Sequence, residues 1–218
     1  MELIHINKIP STIRDAFSKK LIEIANALVT NPNWLMQVMY TESAATLSPS
    51  VRNTKFPFYK NGVLDGYATG LIQFIPSTAR GLGTTTWLLE KMTHLQQLDY
   101  VYKYFAKSKG KLNSYQDVYL MVFFPVASGH GNEPNYVFET KNLSRSTVAK
   151  ANPAIDFNKD GMITMAEFKQ YLIKHTAKPL QEIVFGNAVQ VIKENPASSG
   201  GAVIVLLLGL GLLLMNKN

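Results

Sequence analysis

The chain has 218 residues, 46% of them hydrophobic, which is enough to bury one catalytic domain with a small appendage and too apolar for a disordered chain. Lys and Arg number 22 against 15 Asp and Glu, so the net charge of +7 favours a polyanion without choosing among nucleic acid, anionic lipid and carboxylate-rich wall peptides. With no cysteine present, a disulfide framework and a thiolate metal site are both excluded.

The opening MELIHINKIP has no basic start, no sustained apolar run and no small-residue cleavage site, so no secretory signal is expected there. Ser11 is placed to cap a helix whose apolar positions Ile13, Phe17, Leu21, Ile24, Ala25 and Leu28 recur at three and four. Asn31 and Pro32 stop the chain and restart it, since Asn caps well and Pro is tolerated in a first turn. The second helix, from Trp34 to about Ala45, turns Leu35, Val38 and Met39 inward and carries Glu42 and Ser43 near its end. Between Thr46 and Tyr67, Pro49, Pro57, Gly62 and Gly66 interrupt any period, which predicts a long loop of the kind that often serves function. Helical spacing resumes over Leu71 to Arg80, over Thr93 to Phe105, where Thr93 and Gln96 fit a capping box, and over Ser114 to Phe124. No strand is predicted, and the body is mainly α.

Composition divides the chain into a helical body over 1–143, a loop-rich acidic segment over 144–178, a connector helix over 179–196 and an apolar tail over 197–215. From Gly200 to Met215 no side chain is charged or hydrogen-bonding. At about 1.5 Å per residue that run spans roughly 24 Å as a helix, and extending it back to Ala197 nearly reaches the ~30 Å of a hydrocarbon core. A helix apolar on every face, followed only by Asn216, Lys217 and Asn218, has little globule left to cover it, so a C-terminal transmembrane anchor is expected.

Two constellations carry chemistry. The first is Glu42-Ser43 at a helix end, followed by Gly70-Leu71-Ile72-Gln73-Phe74-Ile75-Pro76-Ser77-Thr78-Ala79. It resembles the lytic transglycosylases and phage-type wall lysozymes of the lysozyme superfamily, whose signature is a Glu-Ser pair and then Gly-Leu-Met-Gln-aliphatic-x-Pro-x-Thr-Ala. Ile72 replaces the Met and Phe74 a smaller aliphatic. The resemblance covers about Asn31 to Phe124 and implies a lysozyme-like α fold with a sugar-binding groove, Glu42 at its floor as catalytic acid/base, and Gln73 close to Glu42 and the substrate. Ser43 would support Glu42 or contact the sugar. Phe74, Tyr119 and Asn53, which follows Arg52, are the further candidate substrate-binding residues. The family's Ala-Tyr-Asn-Ala-Gly block, which supplies a Tyr near the acid, is replaced here by Val122-Phe123-Phe124-Pro125-Val126-Ala127-Ser128-Gly129, with Tyr119 or Tyr136 as candidate substitutes.

Independently of the resemblance, breaking a glycosidic bond needs an acid, and most such enzymes add a second carboxylate as nucleophile or base. Glu42 sits on an apolar helix whose burial would help it hold a proton. Asp65 lies in the long loop, while Asp99 and Asp117 lie on helices that the resemblance does not place at the groove. A one-Glu mechanism suits a transglycosylase, in which the sugar's own hydroxyl closes a 1,6-anhydro ring at the MurNAc-GlcNAc β-1,4 bond. Water in place of that hydroxyl gives a muramidase product. A protein that keeps the groove and binds the wall without catalysis is the rival from another class.

The second constellation is Asp156-Phe157-Asn158-Lys159-Asp160-Gly161-Met162-Ile163-Thr164-Met165-Ala166-Glu167. It resembles an EF-hand calcium loop at every ligand place, with Asp156, Asn158, Asp160, the Met162 carbonyl, Thr164 and a bidentate Glu167 as donors. Thr164 and Glu167 also make a capping box, and Asp-Gly makes a turn unaided. A single loop points to a structural Ca²⁺ clip, and no organic cofactor is expected. His130 with Glu133 reads as a polar loop pair, and Tyr100, Tyr102, Tyr104 and Phe105 as core on one face and rim on the other. An anchor without a signal leaves the enzyme on the side of synthesis while its substrate lies across the membrane. Carriage in a membrane-containing phage particle reconciles the two, with peptidoglycan, a lipid bilayer and other virion proteins as partners and no nucleic acid.

Overall fold

In a computed structural model of the chain, residues 2–186 are described, and they are mainly helical. The expected transmembrane anchor at 197–215 and most of the connector lie outside them; among the described residues no helix is long and apolar enough to cross a membrane. The chain divides into two compact units, one ending at Leu112 and the other starting at Asn113. The helix Tyr115–Phe123 therefore groups with the calcium-loop segment, because its aromatic side chains pack there.

In the first unit, α1 (Arg14–Leu28) buries Phe17, Leu21, Ile24, Ala25 and Leu28, the stripe read from the sequence except for Ile13, which is half-buried in the turn before the helix. Ser11 does not cap it: Ser11–Ile13 is a separate 3-10 turn, and α1 starts at Arg14. α2 (Pro32–Glu42) starts as expected, with the Asn31 side chain accepting from Asn33 N at 2.8 Å and Pro32 in the first turn. It stops earlier than expected, because Ala44 (φ 53°) and Ala45 (φ 64°) turn left-handed directly after Ser43.

The loop predicted over Thr46 to Tyr67 contains a hairpin, β1 (Phe58–Lys60) paired antiparallel with β2 (Val63–Gly66). Its two-residue turn is Asn61-Gly62, at φ 51° and 78°, the positive values that the right-handed strand twist requires. The expectation of no strand is thus corrected, and the Asn-Gly pair is the signal for it. The helix expected from Leu71 also starts later: Thr69 and Phe74 exchange backbone hydrogen bonds of 2.9 and 3.0 Å across a tight turn, and α3 is Pro76–Gly81. A short α4 (Thr86–Leu89) precedes α5 (His94–Phe105), which has the expected capping box of Thr93 and Gln96 and buries Leu98, Val101 and Phe105.

In the second unit, α6 (Tyr115–Phe123) has every residue buried, with Ser114 as its cap. Asp117, 1% exposed, accepts from Gly129 N and Gly131 N at 2.8 Å and from Ser114 Oγ at 2.8 Å, pinning the loop after the helix. α7 (Arg145–Ala151), α8 (Met165–Lys174) and α9 (Lys178–Phe185) come next in the chain, and Phe123, Phe138 and Phe168 form an aromatic core with the latter two rings 5.3 Å apart.

Candidate active site

Glu42 closes α2 and is 1% exposed. Its neighbour Ser43 anchors the turn after the helix: the Ser43 Oγ donates to Met39 O at 2.7 Å and accepts from Leu47 N at 2.8 Å, with no surface left for a ligand. The hydroxyl is thus committed to the backbone on either side of the helix end.

Gln73 occupies the tight turn between Thr69 and Phe74 with φ 52°, a left-handed conformation that costs a non-glycine residue of order 1 kcal/mol. Its Nε2 donates to Gly70 O at 3.1 Å and Val51 O at 3.3 Å, so the amide is held against its own turn and the neighbouring segment. Phe74, the other expected substrate-binding residue of this block, is 2% exposed, with its ring edge-on to Tyr104 at 6.2 Å. Asn53 stands on the same ladder of chain, its N–H donating to Ala68 O at 2.9 Å. Tyr119 belongs to the second unit, where it is 6% exposed and packed against Tyr115 and Phe168.

Two residues of α5 matter more than the sequence indicates. Burial, and then the Glu42 carboxyl, push the Tyr104 phenol above its ordinary range. Tyr104 is therefore near enough to Glu42 to feel its charge, and it meets the ring next to Gln73. Gln97 is 0% exposed and fully engaged: Oε1 accepts from Leu71 N at 2.6 Å, and Nε2 donates to Pro49 O and Leu89 O at 2.9 Å each. Gly70, at φ 84°, makes room for it, since a side chain there would collide with the Gln97 amide. An amide on the apolar face of α5 is the sign of this role in the sequence; its three partners, far apart along the chain, leave none.

The other carboxylates of this unit that the sequence offered are committed elsewhere. Asp65 pairs with Arg80 at 2.6 Å and Asp99 with Lys20 at 2.7 Å. A surface hollow of about 520 Å³ on the outer side of α5 is lined by Met92, Gln96, Asp99, Tyr100, Tyr102 and Lys103 and contains none of the candidate site residues.

In the calcium-like loop of the second unit, Glu167 reaches both ends of the turn, accepting from Phe157 N at 3.2 Å, Thr164 N at 2.9 Å and Thr164 Oγ1 at 2.9 Å. Asp160 accepts from Met162 N at 2.9 Å and from Asn158 Nδ2 at 2.9 Å. Asp156 Oδ2 takes the Gly161 N–H at 3.1 Å, while its Oδ1 is buried and has no hydrogen-bond partner among the described residues. No three His, Asp or Glu side chains among the described residues stand close enough together to hold a metal ion. Ile163, 0% exposed, gives its carbonyl to Phe138 N at 2.9 Å, and Met165 N donates to Tyr136 O at 2.9 Å. The segment around Val137 thereby takes the edge that a second loop would cover in a paired arrangement. His130 and Glu133 are a 2.9 Å surface pair with Tyr136 stacked on the imidazole at 4.1 Å.

Compared with family models, with characterised proteins and with solved structures, the chain matches none.

Proposed function

We propose that the first unit is a lysozyme-like catalytic domain that cleaves the MurNAc-GlcNAc β-1,4 bond of peptidoglycan as a lytic transglycosylase, with Glu42 as its acid/base. The observation that carries the reading is the assembly around Glu42: a buried carboxyl at the end of α2, a phenol on α5 that senses it, and through that ring the turn bearing Gln73. Removal from water disfavours the charged form of any carboxyl, which is the state an acid must avoid before it protonates a leaving oxygen. Asp65 and Asp99 are tied to cations, which supports a mechanism with one carboxyl over a pair. In it, Glu42 gives its proton to the glycosidic oxygen as that bond breaks, then takes a proton from the sugar's O6 hydroxyl as O6 closes on C1. The left-handed backbone of Gln73 supports a functional place for that residue, since strain of this kind persists where surrounding structure holds it.

The test is clearing of purified bacterial wall by wild type and by Glu42→Gln. Loss of a general acid/base lowers the rate by about 10²–10⁴. Clearing should fall by that factor while the melting temperature stays near that of wild type, and the released muropeptides should carry 1,6-anhydro ends. Reducing ends instead would make the enzyme a muramidase. A second reading, a wall-binding protein with an idle acid, is favoured by the 1% exposure of Glu42. It requires wild type to bind wall without clearing it. As part of the proposal the enzyme travels in a membrane-containing phage particle, held by residues 197–215.

The loop of the second unit is proposed as a structural Ca²⁺ site with Asp156, Asn158, Asp160, the Met162 carbonyl, Thr164 and Glu167 as its oxygen donors. Support comes from the order of those donors and from the Asp156 Oδ1, buried without a hydrogen-bond partner among the described residues, an acceptor that a cation would satisfy. The ion would supply charge that draws Asp160 and Glu167 off the backbone amides they now accept from.

A further inference from the structure

Trp87 stands in the first turn of α4 and is 41% exposed, a large apolar ring left partly in water. It is not an isolated surface aromatic. The Tyr67 ring meets it edge to face at 6.2 Å and 83°, and the Arg52 guanidinium lies 5.7 Å from the centre of the Tyr67 ring. Arg52 is held in turn by Glu90, at 3.3 Å, the residue directly after α4. Gly66 makes this arrangement possible: it ends β2 at φ 143°, and a side chain on it would strike the Thr86 hydroxyl beside Trp87.

The same strip of chain builds the Gln73 turn. Arg52 bridges to Thr69, Thr69 bridges to Phe74, and Val51 O receives both Gly70 N at 2.8 Å and Gln73 Nε2 at 3.3 Å. Arg52 and Tyr67 thus lie on the backbone ladder that positions Gln73, with Trp87 at its margin. An exposed indole against a tyrosine ring that carries a guanidinium on its other contact offers apolar area and a hydrogen-bonding group along one strip. A pyranose ring has that same division, with C–H groups on its face and hydroxyls around its edge. Arginine also binds carboxylates in a fork and stacks on aromatic rings.

Resting on the wall-degrading reading, we infer that Trp87, Tyr67 and Arg52 form a saccharide subsite beside the Gln73 turn, which takes a sugar of the glycan strand on the Trp87 face and its carboxylate substituent on Arg52. The side chains serve binding and touch no reacting atom.

The experiment uses the full chain carrying Glu42→Gln, so that binding is read without cleavage, and two probes: purified insoluble peptidoglycan by co-sedimentation and soluble chitotetraose, which has no carboxylate, by titration. Trp87→Ala and Trp87→Leu should each weaken both by about fivefold or more, while Trp87→Phe, which keeps an aromatic face, should retain most of the affinity. Arg52→Ala should weaken peptidoglycan binding and leave chitotetraose unchanged. If the Glu42→Gln protein binds neither probe, the wall-degrading reading fails and takes the subsite with it. If it binds both and Trp87→Ala binds equally well, or Trp87→Leu matches Trp87→Phe, the subsite alone is overturned.

Discussion

Gln73 joins backbone strain to side-chain chemistry at one residue. At φ 52° it sits where glycine is at ease, and its amide is tied to Gly70 O and Val51 O. Gln73→Gly removes a strain of about 1 kcal/mol and gives up hydrogen bonds of similar net worth. Its melting temperature should stay within a few degrees of wild type, while wall clearing drops sharply; a loss of fold in proportion to activity would make the residue structural only. Tyr104 teaches the complementary lesson. The sequence places it in an aromatic run with nothing to single it out, and only the packing of α5 brings its phenol within reach of the Glu42 charge.

At the scale of elements, local signals are legible where the determining contacts are local. The Asn31 cap with Pro32 opens α2, the Thr93 and Gln96 box opens α5, and the Thr164 and Glu167 box opens α8. The hairpin β1 and β2 is equally legible in Asn61-Gly62, but the breakers around it outweigh that signal. The segment Leu71–Ile75 misleads because its residues are all buried, and full burial erases the period that separates a helix from an irregular turn. Gln97 holds that turn in place, joining α5 to the chain at Pro49, Leu71 and Leu89. Gln97→Leu fills nearly the same volume and strands the Leu71 N–H and the Pro49 carbonyl, at about 1–3 kcal/mol for each group left unsatisfied, while Leu89 O keeps its bond from Met92 N. A stability lower by roughly 3 kcal/mol, read from the shift of the urea midpoint, is expected, with wall clearing reduced beyond what the unfolded fraction accounts for. A shift under about 1 kcal/mol would mean that the amide does not clamp the turn.

For the whole molecule, pH and cation supply separate tests. Burial lowers the imidazoles of His5, His94 and His175 below the ordinary 6.5, so the folded chain binds fewer protons on these rings than the unfolded chain. Stability from this source is complete above about pH 6.5 and is lost as pH falls from there through the folded-state values. Melting temperatures should therefore decline from about pH 7.5 to about pH 5, and the decline should be shallower in His94→Gln. An unchanged slope in that variant would remove His94 from the account. Ca²⁺ should raise the melting temperature, with chelator reversing the gain and Glu167→Gln abolishing it. Equal melting with and without the ion would end the proposal of a calcium clip.

What the sequence determined by itself is what short-range chemistry controls: a mainly α chain, the caps that start its helices, the apolar stripe of α1, and an ordered run of oxygen donors from Asp156 to Glu167. The tertiary structure alone decided that the chain divides at Leu112, that Phe74 and Tyr119 are packed among other rings, and that Tyr104 and Gln97 attend the Glu42 and Gln73 elements. Those outcomes depend on which buried faces meet, and a contact between residues tens of positions apart leaves no spacing in the chain from which it can be read.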